Sequence, residues 1–265
     1  MRSMNPDLAS KVAIVTGASR GIGLAVTRAL AESGATVVAG ARETSPELDD
    51  LAGLGVVAVK VDLNTDTGPG RLVQTALEHG HLDILVNNVG AVTPRTNGFL
   101  MVSDEQWQTT LALNLLTAVR SIRAALPPML TAGRGSIVTT SSINAVLPDP
   151  TVIDYGAAKA ALTNFSKALS KEVSPRGVRV NTVSPGPVAT PLWLGDEGVA
   201  STLARASGVR PEQVADQAAS QSLTRRFTKP HEVADLILFL ASDTLAGNIT
   251  GSDFVIDGGL TVETH

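Results

Sequence analysis

At 265 residues, 43% of them hydrophobic and with no break in composition, the chain suits one large core rather than two domains. Its formal net charge of -4, from 25 acidic and 21 basic residues with no basic block, argues against nucleic acid or an anionic membrane surface as a partner. Cysteine is absent, which removes disulfide, thiolate–metal and cysteine-nucleophile chemistry together and fits a reducing, cytoplasmic setting.

The opening MRSMNPDLAS is short and polar, has no apolar signal-peptide core, and reads as a flexible tail over residues 1–10. Lys11–Thr16 is then an apolar run rich in strand formers. Gly17-Ala-Ser-Arg-Gly21-Ile-Gly23 follows, and a helical period starts at Ile22, with Val26, Ala29 and Leu30 on one face. This is strand, tight turn, helix. Gly17 supplies a dihedral closed to other residues, Gly21 lets backbone approach a ligand, and Gly23 allows helix and strand to pack closely. The helix start offers free N–H groups and a positive dipole end to a pyrophosphate.

A second strand spans 35–40 and ends beside Ala41 and Arg42. An acid there would hold a ribose 2′-hydroxyl and repel a 2′-phosphate. With Arg20 in the glycine turn and Arg42 at the strand tip, two guanidiniums and no carboxylate favour the phosphate, although surface arginines are the alternative. Residues 46–53 allow only an abbreviated helix, and 55–61 form a third strand ended by Asp62, which suits an adenine amino group or a turn cap. Helix 67–79 leads to a fourth strand, 82–87. His79 and His81 lack a third ligand at metal-like spacing and read as surface loop residues, so no metal is expected.

Asn87-Asn88-Val89-Gly90 closes that strand, where the asparagines can tie neighbouring segments together and Gly90 leaves room for a ribose. Ser103-Asp-Glu-Gln106 reads as a capping box, opening a helix that carries Trp107, Leu111, Asn114, Leu115 and Ala118. Asn114 is polar among apolar positions; it could prop a water or a lysine. Strand five, 136–140, ends in Ser141-Ser142. Tyr155, the one tyrosine of the chain, and Lys159 stand four apart on one helix face. Strand six, 178–183, runs into Ser184-Pro185-Gly186-Pro187-Val188-Ala189-Thr190, a stiff loop suited to lying against a flat ring. Residues 191–229 read as short helices forming a lid, with Trp193 a substrate contact or a core residue; a helix from Pro230 to about Ala241 and a last strand at 254–256 complete the chain. The expected fold is α/β: one doubly wound Rossmann domain over 11–265, with a seven-stranded parallel sheet, helices on both faces and a small helical lid.

Thr16-Gly17-x3-Gly21-x-Gly23, Asn87-Asn88-x-Gly90, Asn114, Ser142, Tyr155-x3-Lys159 and Pro185-Gly186, in this order, resemble the short-chain dehydrogenase/reductase family, specifically its NADP-preferring members such as bacterial 3-oxoacyl-carrier-protein reductases and carbonyl reductases. Val89 departs from the family's more usual alanine. The resemblance implies a catalytic set of Asn114, Ser142, Tyr155 and Lys159, with Ser141 as the register alternative to Ser142. It implies NADP contacts at Gly17, Ser19, Arg20, Gly21, Ile22, Gly23, Ala41, Arg42, Asp62, Leu63, Asn88, Gly90, Tyr155, Lys159, Pro185, Gly186, Val188 and Thr190. It also implies a homotetramer. The implied activity is reversible reduction of a ketone to a secondary alcohol, with Tyr155 as acid/base, its pKa drawn down by the Lys159 cation together with the positive oxidised nicotinamide, and Ser142 polarising the carbonyl. An apolar wall of Val92, Val146, Pro148, Val152, Leu192, Trp193 and Leu194, with Asn144, favours neutral hydrophobic ketones. The alternatives are a 3-oxoacyl thioester reductase, for which Arg95, Arg205, Arg225 or Arg226 would bind an anion, and a non-catalytic NADP-binding sensor or scaffold.

Overall fold

The computed structural model describes residues 8–262. Seven strands form one sheet: β1 Val12–Thr16, β2 Thr36–Ala41, β3 Val56–Lys60, β4 Leu82–Asn87, β5 Gly135–Thr140, β6 Val178–Pro185 and β7 Asp253–Ile256. They lie in the order β3-β2-β1-β4-β5-β6-β7 and every pairing is parallel. The chain winds outward from β1 to β3, then returns to start β4 on the other side of β1, so a crevice opens between the carboxyl ends of β1 and β4.

The helices are α1 Gly21–Glu32, α2 Pro46–Asp49, α3 Gly68–Glu78, α4 Asp104–Leu111, α5 Thr117–Ala132, α6 Ile153–Val173, α7 Pro191–Leu194, α8 Val199–Ser207, α9 Pro211–Gln221, α10 Pro230–Ala241 and α11 Asp243–Ala246. Alternate residues of β1 feed opposite layers. Ala13 and Val15 pack with Val26 and Leu30 of α1 and Val233 and Ile237 of α10. Val12 and Ile14 pack with Leu72 of α3, Ile122 and Met129 of α5 and Val173 of α6. The lid segment is helical, as α7, α8 and α9, between β6 and α10.

Ser103 and Gln106 form the expected capping box, with Gln106 N–H donating to Ser103 Oγ (3.3 Å) and Ser103 N–H to Gln106 Oε1 (2.9 Å). The helix it opens is not continuous. Ala112–Leu116 is a π-turn between α4 and α5, and Asn114 is its buried residue. Strand six runs two residues further than its apolar pattern, because Pro185 still pairs with Ile256 of β7. Of the stretch expected to be a loose tail, residues 1–7 lie outside the described residues, whereas Leu8 is buried and donates its N–H to Ser33 O. His79 is exposed but His81 is half-buried with its Nε2 unpaired; the described residues hold no group of side chains suited to a metal. Among them no helix is long and apolar enough to cross a membrane.

Candidate active site

The turn after β1 is built on backbone that only glycine adopts freely: φ is +67° at Gly17 and +58° at Gly21. At Gly23 an added Cβ would run into the Gly17 carbonyl oxygen and stand 2.6 Å from Asn88 Nδ2, so helix and strand pack at contact distance there. Arg20 is the N-cap of α1 and makes no side-chain cap, and the first turn holds no acid. Its open N–H groups and dipole end therefore suit a phosphate. Ala41 is buried at the end of β2, while Arg20 and Arg42 are exposed and make no ion pair among the described residues. Ser45 Oγ donates to Ser19 O (2.7 Å) and caps Leu48 N–H, so the loop after β2 is tied to the glycine turn. Sequence reasoning passed over Ser45; its place as N-cap ahead of Pro46 was the available signal.

Across the crevice, Thr16 Oγ1 donates to Val86 O and accepts from Asn88 N–H (2.9 Å), while Asn88 Nδ2 donates to Thr16 O and Gly17 O. Asn87 Nδ2 reaches Thr139 Oγ1 (3.4 Å). The two asparagines thus lock the ends of β1, β4 and β5 together. Asp62 is exposed, with Oδ1 accepting from Asn64 N–H (2.9 Å); Leu63 beside it is buried. The loop after β6 closes the other end. Thr190 is buried, and a Cβ on Gly21 would meet its Cγ2 at 3.2 Å. Gly186 lies where a Cβ would stand 2.8 Å from Asp257 Cβ. Ser19, Ile22 and Val188 belong to these same turns. Two buried polar atoms at the strand tips, Asn87 Oδ1 and Thr140 Oγ1, lack a partner. A crevice with open amides at one end and a Pro–Gly loop at the other fits an extended dinucleotide.

Ser142, Tyr155, Lys159 and Asn114 meet beside this crevice. The two serines after β5 face opposite ways. Ser141 Oγ turns into α6, bonding Thr163 Oγ1 (2.7 Å) and Lys159 O (3.3 Å), whereas Ser142 hydrogen-bonds the Tyr155 side chain and accepts from Asn144 N–H (3.2 Å). The alternation places Ser142, not Ser141, beside Tyr155. Lys159 is 3% exposed, donates to Thr140 O (2.8 Å) and stands 5.7 Å from the centre of the Tyr155 ring. Burial pushes its ammonium down to about 8. Burial likewise pushes Tyr155 above the usual phenol value, against the opposing bond from Ser142. Lys159 therefore does not bring Tyr155 below the usual phenol value: desolvation dominates, and the ammonium donates to the Thr140 carbonyl. Tyr155 is thereby kept as the neutral phenol.

Asn114 is 1% exposed and makes three hydrogen bonds: Oδ1 accepts from Ala91 N–H (3.0 Å), and Nδ2 donates to Ala91 O (2.9 Å) and Thr110 O (3.1 Å). Both amide hydrogens are used, leaving one Oδ1 lone pair for a further partner. The π-turn sets this side chain inward, a recurrent device at functional sites. Gly90 lies between the two groups, and a Cβ there would stand 2.9 Å from Asn114 Oδ1 and 3.4 Å from Lys159 Nζ. A proton donor, a hydroxyl bonded to it and a cation under its ring, next to a dinucleotide-shaped crevice, can protonate and polarise a carbonyl oxygen.

A family profile described as "Enoyl-(Acyl carrier protein) reductase" matches residues 17–261. The chain is 34% identical to D-beta-hydroxybutyrate dehydrogenase of Rhizobium meliloti, over 96% of this chain and 100% of that protein. It is 34% identical to human dehydrogenase/reductase SDR family member 4, over 95% and 88%. Among solved structures it resembles L-sorbose reductase from Gluconobacter frateurii complexed with NADPH and L-sorbose, at 34% identity and a TM-score of 0.88, covering 98% of this chain and 100% of that one. Fold, site and kinship agree: the chain belongs to the short-chain dehydrogenase/reductase family and is an oxidoreductase.

Proposed function

We propose that this enzyme is an NADP(H)-dependent reductase of neutral, medium-sized ketones, reversible toward the secondary alcohols. The cofactor reading rests on the crevice and its two uncommitted arginines, Arg20 and Arg42, and is supported by the NADPH complex of the L-sorbose reductase. The turn Gly17–Gly23 and the start of α1 would hold the pyrophosphate, Arg20 and Arg42 the 2′-phosphate beside Ala41, and Asp62 and Leu63 the adenine. Asn88, Gly90, Tyr155 and Lys159 would hold the ribose end, and Pro185, Gly186, Val188 and Thr190 the nicotinamide. When bound, the cofactor supplies the hydride. Tyr155 gives its phenolic proton to the carbonyl oxygen, and the Ser142 hydroxyl stabilises the negative charge that grows there. Lys159 returns positive charge toward Tyr155 as that proton leaves, and the free Oδ1 lone pair of Asn114 orders a water for its replacement.

One observation carries the substrate class. Three of the four arginines able to meet a substrate anion are already paired: Arg95 with Asp154, Arg205 with Glu197 (3.2 Å) and Arg226 with Glu232 (2.7 Å). In this reading the substrate wall is the apolar set Val92, Val146, Leu192, Trp193 and Leu194; Leu192 and Leu194 are exposed, and Trp193 stands edge-on to Phe227 at 5.5 Å. Each methylene fitted against it contributes about 0.8 kcal/mol. The enzymatic alternative is a 3-oxoacyl thioester reductase, favoured by 33% identity to the 3-oxoacyl-[acyl-carrier-protein] reductase of Synechocystis over 96% of this chain and 98% of that protein. An NADPH-oxidation screen across neutral aryl, alicyclic and polyhydroxy ketones, 3-oxoacyl thioesters and charged oxoacids separates them. Higher kcat/KM on a thioester or oxoacid than on every neutral ketone would overturn the neutral-substrate reading and point to Arg225, which forms no ion pair among the described residues. A cytoplasmic homotetramer is part of the same proposal.

A further inference from the structure

Tyr155 sits in the first turn of α6, the part of a helix that frays most readily. The N-cap of that helix is Val152, which has no side-chain hydrogen bond to give. The missing cap is supplied from inside the turn by Asp154, whose Oδ1 accepts from Tyr155 N–H (3.0 Å). The carboxylate is 1% exposed and shared three ways. Its Oδ2 accepts from Arg95 Nε (3.1 Å), Arg95 Nη2 (2.5 Å) and Thr110 Oγ1 (2.7 Å). Burial pushes this carboxyl up, and the Arg95 and Thr110 bonds outweigh it, holding it below its usual range.

The partners come from the two other segments that build the site. Arg95 lies on the loop that carries Gly90 and Ala91, and its own N–H donates to Thr151 O (2.6 Å), just ahead of α6. Thr110 lies in the last turn of α4; its carbonyl accepts from Asn114 Nδ2, the same amide that bonds Ala91 O. Three segments, each bearing one site group, therefore meet at one buried carboxylate. An isolated buried ion pair is a poor source of stability, since a well-packed apolar pair serves as well. We propose that Arg95, Asp154 and Thr110 are positioning residues, a buried clamp that fixes the Tyr155 turn against the Asn114 π-turn and so sets the geometry of proton transfer. The clamp is assigned to act through Tyr155 and Asn114 rather than on the reacting atoms; it rests on the reading of Tyr155 as the acid.

The test removes the clamp without leaving a buried charge. In the double variant Arg95→Met with Asp154→Leu, Tm is expected within about 3 °C of the parent. NADPH Kd, read by nucleotide fluorescence, is expected within about twofold, while kcat on the best ketone falls about tenfold or more. Thr110→Val, which breaks only the hydroxyl bond and does not depend on the double variant folding, is expected to lose about fivefold in kcat, and Thr110→Ser to restore it. Parental kcat in the double variant or in Thr110→Val overturns the proposal, as does a Thr110→Ser as impaired as Thr110→Val. A kcat loss matched by an equal loss of NADPH affinity is general loosening and overturns it too. Tyr155→Phe runs beside these. Parental activity there would overturn the acid assignment and the clamp with it, whereas an inactive Tyr155→Phe beside a fully active double variant would overturn the clamp alone.

Discussion

Gly90→Ala adds one methyl group at the most crowded point of the site. The backbone permits it, because Gly90 is not among the residues with positive φ. The surroundings do not: the new Cβ would stand 2.9 Å from Asn114 Oδ1 and 3.4 Å from Lys159 Nζ. Neither neighbour is free to yield. Asn114 is pinned by Ala91 and Thr110 at 2.9–3.1 Å, and Lys159 by Thr140 O at 2.8 Å. Overpacking of this kind costs about 1–3 kcal/mol, and the lost freedom of the unfolded chain gives back about 0.4–1 kcal/mol. The net loss of about 0.5–2 kcal/mol corresponds to a fall in Tm of about 1–4 °C. The larger effect is on turnover, since a shift of about 1 Å in a reacting group costs up to about 100-fold. Thermal unfolding and kcat would be measured beside Gly70→Ala, whose Cβ meets nothing within 4 Å and which lies inside α3. That control is expected to gain about 0.5–1 kcal/mol with turnover unchanged. If Gly90→Ala matched the control in both respects, the contact between Gly90, Asn114 and Lys159 would not govern the site.

NADPH is expected to be preferred over NADH by about tenfold or more in kcat/KM, and Ala41→Asp with Arg42→Ser to reverse the order, because a charge-assisted contact is worth about 1.5–3 kcal/mol; equal use by the parent would release Arg20 and Arg42 from the phosphate. Burial holds Lys159 at about 8, below its ordinary 10.5, so the folded chain carries that cation at lower pH and loses it as pH rises. The folded state thus sheds this proton before the unfolded one, and the group's contribution to stability is present above 10.5 and lost as pH falls through about 8. For activity, kcat/KM for NADPH is expected to decline on the alkaline side with a midpoint near 8, and a flat profile to about pH 10 would show that the cation is not what the cofactor needs. Sedimentation at micromolar protein is expected to give a tetramer; a monomer alone would remove that claim.

The sheet was legible because β-branched runs ending in Gly17, Asn88 and Ser141-Ser142 mark both the strands and their tips, and the glycine turn identifies which end binds. That Tyr155 and Lys159 share one face of α6 was legible from their spacing, whereas their proposed roles came from the resemblance and from the serines at the preceding strand tip. The π-turn at Asn114 was not, since one extra residue in a turn hardly disturbs the apolar period across Leu111, Leu115 and Ala118. The Arg95–Asp154 pair was hidden for another reason. Its members stand 59 residues apart, and nothing local distinguishes Arg95 from the exposed arginines of the lid. The proton affinity of Tyr155 also escaped, because sequence shows that Lys159 is near but not that both groups are desolvated and that Thr140 O holds the ammonium.

The central claim is that Tyr155 delivers the proton in NADPH-dependent ketone reduction. Tyr155→Phe removes that proton and almost no volume, so the Ser142 contact loses its partner while the crevice keeps its shape. With the best ketone from the substrate screen, kcat is expected to fall by about 10²–10⁴ while NADPH Kd stays within about twofold. Turnover within about threefold of the parent, at unchanged cofactor affinity, would contradict the assignment.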